Sequence, residues 1–235
     1  MTANTSTSLV TGSNRGIGLE LVRQLRARGD VVIAVCRSPS PGLEATGARI
    51  ERGIDVSSEA DVLGLARRLE GTRIDLLVHN AGILERGALA PLAPTPEARL
   101  ASVDLASIRR QIEVNALGPL ALTAALLPNL GEGSKIVFVT SRMGSIADNG
   151  SGGMYGYRMS KAALNMAGAS LARDLAPRGI AVCLLHPGFI RTELTGGHGN
   201  DDPPVAAKGI LARADALTAA TSGSFWHANG EPLPW

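Results

Sequence analysis

Residues 154–161 read MYGYRMSK and hold both tyrosines of the 235-residue chain, two positions apart and just ahead of a lysine. A phenol near an ammonium is suited to acid–base chemistry, because the positive charge favours the phenolate and draws the phenol's pKa down from about 10. On a helix, residues i and i+4 share one face. Tyr157 and Lys161 have that spacing. Tyr155 lies six residues from Lys161, falls well around the helix, and is expected to pack or to border the mouth of a site. The chemistry open to the pair is proton transfer to or from a substrate oxygen.

A second stretch could hold an anion. TGSNRGIG, Thr11 to Gly18, carries three glycines, Gly12, Gly16 and Gly18, between an apolar run and a helical pattern. Glycines permit a tight turn and close approach of backbone to a ligand. The N-terminus of the following helix points N–H groups and its positive dipole end at a phosphate. The spacing is GxxxGxG rather than GxGxxG. The next apolar run ends Cys36-Arg37-Ser38, where a protein selective for NAD usually carries an acid that holds the ribose hydroxyls. A carboxylate would repel a 2′-phosphate; Arg37 and Ser38 would attract one, and Arg15 adds a second arginine on the same side. This pattern points to NADP(H).

These residues need a scaffold, and the pattern supplies one. Strand-like runs at 7–12, 31–36, 48–56, 73–80, 135–141, 180–186 and 222–227 alternate with helical patterns at 16–28, 58–70, about 102–128, 156–177 and 205–213. Several strands are apolar on nearly every residue, as expected for a parallel sheet covered on both faces. The alternation predicts one α/β domain over residues 1–235, a doubly wound parallel sheet of about seven strands with helices on both faces. Residues 88–98 and 195–204 are rich in proline or glycine and read as loops. The segment 193–204 is short and glycine-bearing, which predicts a shallow site under a mobile lid, with weak substrate discrimination.

Composition excludes other classes. Apolar residues make up 45% of the chain, aromatic residues only 3%, and the formal net charge is +2 with its basic residues scattered. That argues against nucleic acid or an anionic membrane as partner. Cys36 and Cys183 each sit in an apolar run and read as reduced core residues. MTANTSTSLV is polar and uncharged, unlike a signal peptide, so a cytoplasmic protein is expected. No metal-ligand cluster stands out.

Taken in order, Thr11-Gly12-xxx-Gly16-x-Gly18, Asp55-Val56, Asn80-Ala81-Gly82, Asn115, Ser141, Tyr157-xxx-Lys161 and Pro187-Gly188 resemble the short-chain dehydrogenase/reductase family, over nearly the whole chain. The stretch ADNGSGGMYGYRMSKAALN is similar to the C-factor and sniffer-type carbonyl reductase branch. The resemblance implies a Rossmann fold and the catalytic set Asn115, Ser141, Tyr157 and Lys161. It implies a cofactor site drawn from Gly12, Ser13, Asn14, Arg15, Gly16, Ile17, Gly18, Arg37, Ser38, Asp55, Val56, Asn80, Ala81, Gly82, Tyr157, Lys161, Pro187, Gly188, Ile190 and Thr192. Asp55 would meet the adenine and Pro187 to Thr192 the nicotinamide carboxamide, with Asn115 linking Lys161 to solvent. From its residue type alone Asn115 could equally cap or pack.

The chain departs from the family in places. His79 precedes Asn80 where a second asparagine is common, and reads as a hydrogen-bonded strand-end residue. Fifteen residues separate Ser141 from Tyr157, a few more than usual, which leaves Ser145 as a competitor for Ser141. His198 reads as an exposed loop residue. The function expected is NADPH-dependent reduction of a ketone or aldehyde. The alternative is a cofactor-bound signalling or sensor protein of the C-factor type with little turnover. A sugar epimerase or dehydratase is disfavoured because no sizeable C-terminal substrate domain is present. A homo-oligomer, dimer or tetramer, is expected through the helices at 102–128 and 156–177.

Overall fold

In the computed structural model, which describes residues 5–85, 95–101 and 103–235, seven parallel strands form one sheet in the order β3-β2-β1-β4-β5-β6-β7. The strands are β1 Thr7–Thr11, β2 Val31–Val35, β3 Arg49–Glu51, β4 Leu76–His79, β5 Lys135–Val139, β6 Ala181–His186 and β7 Ser224–His227. All seven runs expected from the sequence are strands. β3 and β4 are shorter than their apolar runs, because only part of each finds a hydrogen-bonding neighbour. The helices are α1 Gly16–Ala27, α2 Pro41–Glu44, α3 Glu59–Arg68, α4 Pro96–Ala101, α5 Leu105–Ile112, α6 Gly118–Ala125, α7 Tyr155–Leu175 and α8 Pro203–Ala216.

Successive strand side chains point to opposite faces. Here Leu9, Ile33, Leu77, Ile136, Phe138 and Leu184 pack on one side against residues of α3, α6 and α7. Val10, Val32, Val78, Val137, Cys183 and Leu185 pack on the other against α1 and α8. Both faces are dry, which is why the strands are apolar on consecutive residues. Cys36 and Cys183 are buried free thiols. Among the described residues no helix is long and apolar enough to cross a membrane.

Two expectations change. The helix expected over 102–128 is three pieces: α5, a π turn at Glu113–Leu117 and α6. Asp104 starts α5 by accepting from the amides of Ala106 and Ser107 at 2.9 and 3.1 Å. Pro119 has no N–H to offer the Asn115 carbonyl, so the α register fails there and a π turn takes its place. The proline-rich stretch 88–98 is not loop to its end, since Pro96 opens α4 at the position where a missing N–H costs nothing; residues 88–94 lie outside the described residues.

His79 ends β4 inside the core. Its ring stacks on Phe138 at 4.8 Å, and its Nε2 lies 2.8 Å from the Thr123 hydroxyl. That hydroxyl donates to the Pro119 carbonyl at 2.8 Å, so its lone pair must accept from an Nε2–H. Nδ1 is therefore bare and has no partner. A second proton there would be buried without an acceptor, and burial holds the imidazole down to about 3. The unfolded chain protonates this group near 6.5. The stability that its neutral form carries is whole above that pH and is lost as pH falls towards 3. Wild type is expected to lose about 2 kcal/mol more than His79→Gln between pH 7 and pH 5 in urea unfolding. Equal losses would show that the histidine titrates normally in the fold.

Candidate active site

The connections reverse direction between β1 and β4, and the crevice beyond the carboxyl ends of these strands is where a doubly wound sheet takes its ligand. Asn80 closes the split. Its Nδ2 donates to the carbonyls of Thr11 and Gly12 at 3.0 and 3.2 Å. The amides of Asn80 and Ala81 both donate to the Thr11 hydroxyl at 3.1 Å. Gly12 takes φ +65°, and a Cβ there would lie 2.8 Å from the Ala81 Cα. At Gly18 a Cβ would lie 2.2 Å from the Gly12 carbonyl oxygen. Arg15 precedes α1 in extended conformation and makes no side-chain cap, so the first-turn amides of α1 have no side-chain acceptor from that position.

A cavity of about 890 Å³ opens here, walled by Gly12, Asn14, Arg15, Gly16, Ile17, Gly18, Arg37, Asp55, Val56, Asn80, Ala81, Gly82, Tyr157, Lys161, Pro187 and Thr192. The glycine cradle, the uncapped helix start and a cavity this size fit a dinucleotide. The remaining expected residues stand apart from the wall. The Ser13 hydroxyl is buried and donates to the Val35 carbonyl at 3.1 Å. Ser38 is exposed. Gly188, at φ +100°, turns the chain after β6, and Ile190 is buried behind it. Asp55 accepts from the Ser57 hydroxyl and amide at 2.6 and 2.9 Å, which holds its carboxyl below the usual range, with Arg37 adding to the effect.

At the inner end Tyr157 and Lys161 share one face of α7, the Nζ 5.7 Å from the centre of the phenol ring. Lys161 is buried and donates to the Val139 carbonyl at 3.0 Å. Ser141 follows β5, and its hydroxyl stands near enough to the phenol to favour the phenolate. Asn115 is fully buried in the π turn. Its Oδ1 accepts from the Ile83 amide at 2.7 Å, and its Nδ2 donates to the Ile83 carbonyl and the Ser160 hydroxyl at 2.9 and 3.0 Å. Its side chain thus ties the segment after β4 to α7. Tyr155 opens α7 and is 40% exposed, away from the lysine. Ser145 is turned from the site, its hydroxyl donating to the main-chain oxygen of Trp235 at 3.0 Å. Of the two competing serines, Ser141 is the one near the phenol.

The electrostatics differ from the expected simple depression of the phenol. Tyr157 is partly open to the cavity, yet the protein packed around it pushes the phenol up to about 12 against the pull of Ser141. Burial brings Lys161 down to about 8. Partial loss of water disfavours the charged form of each group, and the lysine's Nζ is turned towards Val139.

Arg15 lines the cavity and pairs with Glu193 at its mouth, both side chains exposed. Arg37 has no ion pair among the described residues, and so is the freer cation at that end. The loop after Thr192 carries hydrogen bonds of its own. Gly197 donates to the Thr192 carbonyl at 2.8 Å, the Thr195 hydroxyl to the Ile190 carbonyl at 2.8 Å, and Asn200 to the Phe189 carbonyl at 2.7 Å. Gly196 and Gly197 take the positive φ these turns need, so glycine here builds structure. His198 is exposed, as expected, and Pro203 and Pro204 open α8. Sequence reasoning missed Arg110 and Glu113 on the cavity wall, and did not single out Arg191 within the stretch Pro187 to Thr192. For the first two a signal existed in their i, i+3 spacing beside Asn115.

The short chain dehydrogenase family model matches residues 6–202. The 1-hydroxy-2-glutathionyl-2-methyl-3-butene dehydrogenase of Rhodococcus sp. (strain AD45) is 44% identical over 98% of this chain and 100% of its own length. The C-signal protein of Myxococcus xanthus is 42% identical over 69% of this chain and 93% of its own. Among solved structures, a short-chain dehydrogenase/reductase of Burkholderia multivorans with bound NADP superposes with a TM-score of 0.87 at 28% identity, covering 98% of this chain and 100% of that one. The carbonyl reductase Sniffer of D. melanogaster gives 0.86 at 29% identity, covering 99% and 100%.

Proposed function

The chain belongs to the short-chain dehydrogenase family, and on that premise we propose that it is an NADP(H)-dependent carbonyl reductase, reducing a ketone or aldehyde to an alcohol with Tyr157 as general acid. One observation carries the reading: Tyr157, Lys161 and Ser141 converge at the inner end of a cleft of dinucleotide size. Bound NADPH would supply the hydride. The hydroxyls of Ser141 and Tyr157 hold the substrate oxygen as negative charge develops on it. Tyr157 then gives up its proton, and the Lys161 ammonium stabilises the phenolate left behind. Asn115 keeps the segment after β4 and α7 in register around the pair. The same groups run backwards when an alcohol is oxidised, the phenolate acting as base.

NADPH oxidation with a panel of activated ketones and aldehydes tests the reading. Alcohol formed in step with NADPH consumed is expected; a protein that consumes no NADPH with any of them would refute it. The Rhodococcus relative's named substrate is an alcohol bearing a glutathionyl group, so alcohols of that kind with NADP belong in the panel. The likeness to C-signal supports a second reading, a cofactor-bound signalling protein with little turnover, and the same assay separates the two. Exposed Leu105, Leu117, Leu120 and Met166, on the helical segments from α5 to α7, support a homo-oligomer.

Reduction needs the phenol and the ammonium together. Lys161 loses its charge as pH rises through about 8, while Tyr157 keeps its proton up to about 12. The expected kcat/KM profile for reduction is flat below about pH 8 and falls above it, on the lysine limb. A rate still rising at pH 9 would contradict this assignment. For the cofactor, NADPH is expected over NADH, and Arg37→Asp should cut the ratio of their kcat/KM values by about 10- to 100-fold, the scale of a lost charge-assisted hydrogen bond plus repulsion. An unchanged ratio would remove Arg37 from the phosphate site.

A further inference from the structure

We propose that the segment after β7, residues 229–235, positions the catalytic serine: the main-chain oxygen of Trp235 clamps Ser145 and Ala147, and so fixes the turn that presents Ser141 to Tyr157. The inference rests on the carbonyl-reductase reading, since it concerns the same site.

The clamp is built from several contacts. The main-chain oxygen of Trp235 accepts from the Ser145 hydroxyl at 3.0 Å, across 90 positions, and from the Ala147 amide at 2.8 Å. Ser145 is 3% exposed, and its hydroxyl also accepts from the Asp148 amide at 3.1 Å, so donor and acceptor capacity are both in use. Trp235 is held in turn. Its ring lies 5.4 Å from that of buried Phe225, and Leu233 donates to the Phe225 carbonyl at 2.9 Å. The segment thus folds back along β7 and reaches the loop that follows β5.

Only the 3-10 turn Arg142–Gly144 separates Ser145 from Ser141. Gly144 donates to the Ser141 carbonyl at 2.8 Å, and the Ser141 hydroxyl accepts from the Met143 amide at 3.2 Å. The turn is pressed onto α7: a Cβ on Gly144 would lie 2.7 Å from the main-chain carbonyl carbon of Lys161. A displacement at Ser145 is therefore passed to Ser141 through one short turn that cannot move towards the helix. Neither Ser145 nor Trp235 lines the cofactor cavity. Ser145 is a positioning residue, acting through Ser141.

The test is a double-mutant cycle in kcat with NADPH and a carbonyl substrate. Ser145→Ala is expected to lower kcat by about 10- to 100-fold, the scale of a misplacement near 1 Å, with the Kd for NADPH unchanged. Ser145→Thr, which keeps a hydroxyl, should recover most of the rate. In a Ser141→Ala background Ser145→Ala should cost nothing further, because the group it positions is gone. Trp235→Leu, which loses the stack on Phe225, should give the same pattern more weakly, and it decides the matter should Ser145→Ala fail to fold. An active wild type whose kcat survives these changes, or losses that multiply in the Ser141→Ala background, would overturn the inference alone. A wild type that turns over no carbonyl overturns the reading and the inference together.

Discussion

Tyr157→Phe lowers kcat for carbonyl reduction by about a hundred- to ten-thousand-fold, the usual scale of general acid catalysis. The ring keeps its place over Lys161, so the cavity keeps its shape and NADPH should bind within a few-fold of wild type. Only the hydroxyl is lost, and with it the transferable proton. Tyr155→Phe is the internal control: it sits at the exposed start of α7, and its loss should leave the rate within about twofold. Steady-state rates and a fluorescence titration with NADPH separate the two effects. Equal losses from the two tyrosines would break the argument from helix face, and a weak effect of Tyr157→Phe would move the proton donor elsewhere.

Gly18→Ala costs about 3 kcal/mol or more of stability, because the new methyl group meets backbone. It would lie 2.2 Å from the Gly12 carbonyl oxygen and 2.5 Å from Asn80 Nδ2, two partners of the bond that closes the sheet between β1 and β4. Neither can yield without parting the glycine turn from β4. A fall in Tm of roughly 6–12 °C follows for a domain of this length, along with weaker NADPH binding. Gly64→Ala gives the opposite sign. Gly64 lies inside α3, where a Cβ meets only arginine side-chain ends at 3.7 Å and beyond, so alanine should stabilise by up to about 1 kcal/mol through its better helix propensity. Thermal melts of the two variants side by side check both signs. A Gly18→Ala protein as stable as wild type would mean that the loop and strand do not meet as described.

The sequence by itself determined what depends on separation along the chain. Apolar residues on consecutive positions marked strands covered on both faces, and the seven runs came out as the seven strands of the sheet. The i, i+4 spacing of Tyr157 and Lys161 put them on one helix face, and the order of glycine loop, Asn80, Ser141 and Tyr157 was enough for the family. A helical or pleated period is a local property, so it can be read off residue by residue. What only the tertiary structure decided depends on distances in space. Ser145 is turned to the main-chain oxygen of Trp235, 90 positions on, while Ser141 stands near the phenol. Arg15 is held by Glu193, 178 positions away, which leaves Arg37 as the freer cation. The phenol stands at about 12 and the lysine at about 8 because folding closes protein around both, and the loss of water outweighs their proximity. Solvent exclusion and pairing belong to the packed molecule, and no spacing along the chain encodes them.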